Sequence, residues 1–395
     1  MDYPEEVQSA HKTVAAMNDL LRQEVTATAD RIVVKVGTRV VTRADGLLDD
    51  ERIAELAGQL SQLVASGREV VLVSSGAVGA GMGELDLSTR PDDLAQLQAV
   101  AAIGQAKLIE SYDRIFRQHD RHAAQLLLTA QDLDDRAGYL NVRNTLLALL
   151  QFGAIPVVNE NDTVAVDELM TTFGDNDRLA ALVTNLLGAQ LLIILSNVPG
   201  LMDGDPADPA TQRIGTVTEL DESLDDYVTE STDLLGKGGM ASKLEAARIV
   251  TTAGENMIIA SGDEPDVLTR IIAGEDLGTL ILAQGKTVSP WKRWIGFSAQ
   301  PRGKLHLDAG ACQALLEQGS SLLPIGISRL EGEFEKGDVI ELIAPDSRQL
   351  ARGLTNYSSS QVAKIIGLQS DLIAETLGQR PYVEVVHRDN LVLLD

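Results

Sequence analysis

The chain has 395 residues, 44% of them hydrophobic and 23% charged, the balance of a globular protein of two or three domains and not of a disordered chain. Against 33 Lys and Arg stand 58 Asp and Glu; the net charge of −25 argues against duplex nucleic acid as the main partner, because counterion release needs clustered cations. With one cysteine, Cys312, neither an intrachain disulfide nor a cysteine-rich zinc site can form, and no apolar run reaches the roughly 18 residues that span a bilayer.

Residues 1–30 read as an extension. Val7, Val14, Met17, Leu21 and Val25 fall on one helical face and Pro4 suits a first turn, so a helix packed on the body or on a neighbouring subunit is expected. The opening MDYPEEVQSA is acidic where a signal peptide would be basic, which makes a cytoplasmic location the expectation. From residue 31 to about 283, strand-like and helical stretches alternate. RIVVKV (31–36), EVVLVSS (69–75), QLLLT (125–129), AIPVVN (154–159), LLIILS (191–196) and MIIAS (257–261) read as strands; 50–66, 93–117 and 139–152 read as helices. Continuous Val, Ile and Leu runs suit strands covered on both faces, so the expected class is α/β: a three-layer αβα sandwich with a mainly parallel central sheet. The expected boundaries are an α/β domain over 31–285, a linker over 286–302, and a small, mostly β domain over 303–395 that ends in a strand pair, PYVEVVHRDNLVLLD.

In an open α/β sheet ligands bind outside the carboxyl ends of the strands, and four junctions there are rich in glycine or polar residues. In VVKVGTRVV, Lys35 lies inside an apolar run, which is costly unless it is paired or reaches a ligand, and Gly37 and Thr38 open the turn that follows. In VVLVSSGAVGAGMG, small residues from Ser74 to Gly83 would let backbone N–H groups approach an anion; a tight strand-to-helix turn explains them equally well. In VVNENDTVAVDELMTTFGDNDRLAAL, Asn159, Glu160, Asn161 and Asp162 form one cluster and Asp175, Asn176 and Asp177 another. Asp177 is placed to start a helix through Leu187, and capping accounts for one or two of the seven. In LLGKGGMASKLEAARI, Gly236, Gly238 and Gly239 precede a helix with Lys237 and Lys243 nearby; the order is not that of a Walker A loop, but it suits a phosphate cover. Two distant lysines, two glycine loops and an acid–amide cluster suit phosphoryl transfer, which needs positioning and charge neutralisation more than covalent chemistry.

The stretches VVKVGT, SSGAVGAG, NENDTVA, FGDNDRLAAL, GKGGMASK and KRWI, in this order, resemble the glutamate 5-kinases of the amino acid kinase family, and the C-terminal part resembles a PUA domain. The resemblance covers about residues 31–390. It implies ATP and Mg²⁺ as cofactors and phosphorylation of the L-glutamate side-chain carboxylate, the first step of proline biosynthesis. By the same resemblance, Lys35 and Lys243 neutralise the transferring phosphoryl group and Asp177 holds both lysines. Gly37 and Thr38 give backbone contact to phosphates. Ser75, Asp162 and Asn176 bind glutamate, and Gly76 and Ala77 line its pocket. Ser196 and Asn197 stand at the nucleotide-binding strand end, and Lys237, Gly238, Gly239, Met240, Ala241, Ser242 and Lys243 cover ATP. No protein metal site is assigned. Proline as a feedback inhibitor, a homo-oligomer and no membrane partner complete what the resemblance implies.

The sequence departs from the family pattern in three places. Asn197 stands where the family carries Asp, Lys237 stands where it carries Thr, and the segment between the acid–amide clusters is two residues longer. The first two motivate an alternative: a non-catalytic amino-acid or nucleotide sensor on the same fold. RNA as a partner of the C-terminal domain is disfavoured, because residues 303–395 hold 8 Lys and Arg against 13 Asp and Glu.

Overall fold

Aliphatic runs without a polar interruption are stable as strands where both faces of the sheet are covered. The computed structural model describes residues 19–43, 45–164, 175–204, 208, 210–220, 239–284, 292, 294–378 and 382–394. Five of the six runs form β1 (Arg31–Val36), β2 (Glu69–Ser74), β3 (Ala123–Leu128), β4 (Ile155–Glu160) and β5 (Leu191–Ser196). The sixth, after the short β6 (Thr216–Val217), is β7 (Asn256–Ser261). With β8 (Thr279–Ile281) they make an eight-stranded sheet in the order β3-β4-β2-β1-β5-β7-β8-β6. β3, β4, β2, β1, β5 and β7 are parallel; β8 runs antiparallel to β7 and parallel to β6. No apolar run announces β8, because its three residues are too few to stand out.

Among the described residues before the second sheet, the helices are α1 (19–28), α2 (Thr38–Val41), α3 (Asp50–Ala65), α4 (Ala77–Glu84), α5 (Leu94–Phe116), α6 (Ala130–Asp134), α7 (Arg136–Gln151), α8 (Asp175–Leu187), α9 (Met240–Thr252) and α10 (Val267–Ile272). Alternation along β1 sorts the layers. Ile32, Val34 and Val36 share a core with Ile53, Leu56 and Leu60 of α3, Leu108 and Tyr112 of α5, and Leu268 and Ile271 of α10. Val33 and Lys35 therefore project to the opposite face, against which α8 and α9 pack. β1 is also where strand order reverses, with β2 on one side and β5 on the other. A ligand site is expected at its carboxyl end.

Residues 1–18 of the expected leading helix lie outside the described residues. α1 is held to the sheet edge by Arg22, which is 1% exposed. Its guanidinium donates to the backbone oxygens of Leu277 (2.7 Å), Gly215 (2.9 Å) and Gly278 (3.1 Å) and pairs with Asp276 at 3.2 Å. Burial pushes its pKa down, and Asp276 opposes that shift.

The chain divides into two compact units, Met1–Asp132 with Leu140–Lys286, and Leu133–Tyr139 with Thr287–Asp395. The second unit has a five-stranded sheet built from β9 (Gly303–Leu307), β10 (Ile327–Gly332), β11 (Val339–Ile343), β12 (Gln349–Thr355) and β13 (Val386–Leu393), in the order β10-β9-β11-β12-β13. Its core includes Leu305, Ile340, Leu342, Tyr357, Val362 and Ile365. Part of the stretch read as a linker is packed within this unit. Trp294 and Ile295 are buried, Trp294 meets the Tyr139 ring edge-on at 6.3 Å, and Arg352 donates to Gly296 O at 3.0 Å. The expected terminal strand pair is one strand, β13. Val386 and the Leu391–Leu393 run both pair with β12, and the polar residues between them leave the register. Two apolar runs split by HRDN look like two strands, but no glycine is present there to turn the chain back.

In the first unit, α4 and α5 cross at two glycines. A Cβ on Gly104 would lie 1.8 Å from Ala77 O and 2.2 Å from Gly81 N, and one on Gly81 would lie 1.9 Å from Val100 O. Part of the glycine-rich stretch after β2 therefore serves helix contact. Gly104→Ala is expected to lower stability by about 1–3 kcal/mol, the usual cost of overpacking. Urea unfolding of the full chain measures it, and an unchanged midpoint would show that the helices separate freely.

Candidate active site

Lys35 is 6% exposed and Asp177 is fully buried. A strand lysine beneath two covering helices needs an anion, and α8 supplies it: Lys35 Nζ lies 2.6 Å from Asp177 Oδ1. Helix α8 begins at Asp175, not at Asp177, so Asp177 sits in the first turn, where the positive end of the helix favours a carboxylate. From α9, Lys243 Nζ reaches Asp177 Oδ2 at 3.3 Å and Ser242 Oγ reaches the same oxygen at 2.8 Å. Ser242 Oγ is also 2.9 Å from the backbone oxygen of Gly239, the N-cap of α9.

Burial raises the Asp177 carboxyl pKa, but the ammonium groups of Lys35 and Lys243 outweigh it, and the value falls to about 2. Burial pushes the Lys243 ammonium below the ordinary lysine value, and Asp177 pulls the other way. Two cations share one anion, so these three side chains carry one net positive charge. Such a cluster favours an anionic ligand.

A second group adjoins it through the neighbouring residue. Asn176 Nδ2 donates to Ser75 Oγ and to Asn159 Oδ1, each at 3.0 Å. Asn159 Nδ2 donates to Gln105 Oε1 of α5 at 2.8 Å. Asn159, Asn176 and Gln105 are all buried. Asn176 Oδ1 meets no hydrogen-bond partner among the described residues. Gly76 turns the chain between β2 and α4 in the left-handed region, at φ 108°, which favours glycine. Ala77 then enters α4 buried, and Asp162 is buried in the turn after β4.

The carboxyl ends of the central strands are laced by backbone bonds. Gly37 N–H donates to Leu195 O at 3.0 Å, Ser75 N–H to Val36 O at 3.2 Å, and Gly262 N–H to Ser196 O at 2.6 Å. The Gly37 amide, expected to meet phosphate, is engaged inside the protein, and Thr38 is the first residue of α2. Ser196 Oγ lies 3.3 Å from Oδ1 of the exposed Asn197, beside Leu195. Gly239 and Ala241 are exposed, Met240 is half-buried, and among the described residues nothing stands within 4 Å of a Cβ placed on Gly239. Lys237 and Gly238 lie outside the described residues. The structure thus joins Lys35, Asp177, Ser242 and Lys243 in one group and Ser75 and Asn176 in the next. Motif reading missed Gln105. Its signal was a glutamine on the apolar face of α5, among Leu97, Ala101 and Leu108.

A cationic cluster at the carboxyl edge of an open, mainly parallel sheet is the frame of an enzyme that acts on an anionic substrate. A model of the amino acid kinase family matches residues 30–261, and a model of the PUA domain matches residues 303–377. The chain belongs to the amino acid kinase family. It is 49% identical over 377 residues to the glutamate 5-kinase of Rhodopirellula baltica, covering 95% of this chain and 97% of that one. It is 48% identical over 367 residues to the glutamate 5-kinase of Thioalkalivibrio sulfidiphilus, covering 93% and 97%. With the glutamate 5-kinase of Caldanaerobacter subterraneus the identity is 47% over 366 residues, covering 92% and 98%.

The carboxylate of Asp177 is more acidic folded than unfolded, so its stabilising contribution is present above about pH 4 and is lost as pH falls towards 2. The depression corresponds to about 2 kcal/mol. Asp177→Asn should lack this acid-limb loss. At pH 7 the same variant should be about 3–5 kcal/mol less stable, because two buried ammonium groups lose the carboxylate they share. Urea unfolding at pH 2–4 and at pH 7 checks both, and identical acid limbs would refute the assignment.

Proposed function

We propose that the chain transfers the γ-phosphoryl group of ATP to the side-chain carboxylate of L-glutamate, giving L-glutamyl 5-phosphate and ADP, the opening step of proline biosynthesis in the cytoplasm. The Lys35–Asp177–Lys243 cluster carries this reading, with the amide group beside it and the glutamate 5-kinase relatives in support.

A carboxylate oxygen of glutamate forms a bond to the γ-phosphorus, and the bond from that phosphorus to the β,γ-bridging oxygen breaks. Both acceptor and nucleotide are anions, so the reaction's difficulty lies in their repulsion and alignment. The acceptor is ionised at neutral pH, with a reference pKa near 4.3. No proton has to be removed. Lys35 and Lys243 then offset the charge on the transferring group, and Asp177 keeps them from separating. Ser75, Asp162 and Asn176, with Gly76 and Ala77, hold glutamate. Thr38 and the stretch from Gly239 to Lys243 hold the phosphates, and Ser196 and Asn197 stand on the nucleotide side.

Magnesium enters as the nucleotide's own counter-ion in this reading. Asp177 is occupied by lysines, and among the described residues no group of three or more His, Cys, Asp and Glu could hold a metal ion. Proline carries the same α-carboxylate and a ring ammonium, so it is proposed as an inhibitor competing at the glutamate end. Assembly with further copies of the chain is proposed on the resemblance.

Purified protein offered glutamate, N-acetylglutamate and aspartate side by side with ATP and magnesium should phosphorylate glutamate with the highest kcat/KM. Preference for either rival would overturn the assignment. Lys243→Ala should cost about 10²–10³ in kcat, as loss of one electrostatic stabiliser of a transition state does. Unchanged kcat would remove Lys243 from the reaction.

A further inference from the structure

The amide cluster behind Ser75 has a direction, and one group sets it. Amide oxygen and nitrogen are told apart by the partners they meet. The Glu160 backbone N–H can only donate, and it meets the Asn159 side chain at 2.9 Å, so that atom is Oδ1. Asn159 Nδ2 then faces Gln105 at 2.8 Å, and the atom receiving it must be Oε1. The Asn176 atom facing Asn159 Oδ1 at 3.0 Å must in turn be Nδ2, whose second hydrogen goes to Ser75 Oγ, also at 3.0 Å. Both hydrogens of Asn176 are used inside the protein. What remains of that amide is Oδ1, an acceptor, buried and with no partner among the described residues.

We propose that Gln105 is a positioning residue for substrate specificity: by accepting from Asn159 Nδ2 it lets the Gln105–Asn159–Asn176 relay keep the polarity that the Glu160 backbone N–H sets, so that Asn176 presents its carbonyl oxygen to the α-ammonium of the amino-acid substrate. The proposal rests on glutamate being that substrate. Gln105 is 7% exposed, and its Nε2 meets no partner among the described residues. Its carbonyl oxygen satisfies the Nδ2 donor of Asn159. A position kept for packing alone would be apolar, as Ala101 and Leu108 on the same face are. Without an acceptor at position 105, Asn159 Nδ2 becomes a buried donor with nothing to bind, and the amide must turn to find a partner. Asn176 then loses its acceptor at Asn159 and is free to flip. The flipped amide shows an NH₂ group to a cation.

Glutarate, which is glutamate without the ammonium, reads this out. Gln105→Met keeps the length and shape of the side chain and removes the strong acceptor. Gln105→Glu keeps an acceptor whether or not it is protonated. In the full chain, Gln105→Met should raise KM for glutamate about tenfold and reduce the preference for glutamate over glutarate by a similar factor, with KM for ATP unchanged. Gln105→Glu should hold that preference within about twofold of the parent. The proposal is overturned if Gln105→Met slows glutamate and glutarate equally, if KM for ATP rises in parallel, or if Gln105→Glu loses the preference as fully as Gln105→Met. The parent enzyme in the same assay separates the two levels. Turnover of glutamate with an unmoved preference in the variants removes this proposal alone, whereas no turnover by the parent removes the reading beneath it as well.

Discussion

One carboxylate holds together side chains that enter the sequence 208 positions apart, from Lys35 to Lys243. Two ammonium groups brought together under a sheet repel each other and lose hydration, and each effect opposes burial. Asp177 counters both because each of its oxygens faces a different lysine. Its place in the first turn of α8 adds the favourable end of the helix dipole. The same residue therefore fixes three elements, β1, α8 and α9, against one another. It also leaves the cluster one charge short of neutral, which is the condition for recruiting an anion.

Beside this charged cluster the chain places neutral amides, and the division suits the two ligands. Phosphates are recognised by charge and by backbone N–H groups, which tolerate several orientations. An amino acid presents an ammonium and a carboxylate on one carbon, and telling them apart needs donors and acceptors with a fixed sense. A charged side chain would supply attraction without orientation. A relay of amides, directed by the Glu160 backbone N–H, supplies orientation at no net charge. Asn176 and Asp177 are adjacent at the head of α8, so any shift of that helix moves both kinds of recognition together.

Much of the first unit was legible in the sequence because it depends on local rules. Covered strands must be continuous aliphatic runs, and the runs at 31–36, 69–75, 154–159, 191–196 and 257–261 each contain or overlap an observed strand. Lys35 stood out because a cation has no place in such a run without a partner. From the residues alone the partner was one of four acids in the two clusters, Glu160, Asp162, Asp175 and Asp177, and only the family resemblance singled out Asp177. Which acid meets a strand lysine depends on the crossing of β1 and α8, which no window of sequence encodes. β8 was too short to see. In the second unit, β13 was misleading because a polar excursion within one strand and a turn between two look alike until pairing with β12 is known. Gln105 carried a real signal, a polar residue on an apolar helix face, but a motif search does not read helix faces.

The glycines after β2 had two explanations, and both apply at different positions. Gly76 is a conformational requirement, since its φ of 108° delivers Ser75 at the strand end and starts α4 in the next residue. Gly81 is a packing requirement, since α4 must sit against α5 with no side chain between them. The two are coupled. Gln105 can reach Asn159 only if α5 lies close, and α5 lies close to α4 because Gly104 meets Ala77 O and Gly81 N. A stretch that resembles a simple anion loop is therefore also the spacer that brings a glutamine from a neighbouring helix into the amide relay.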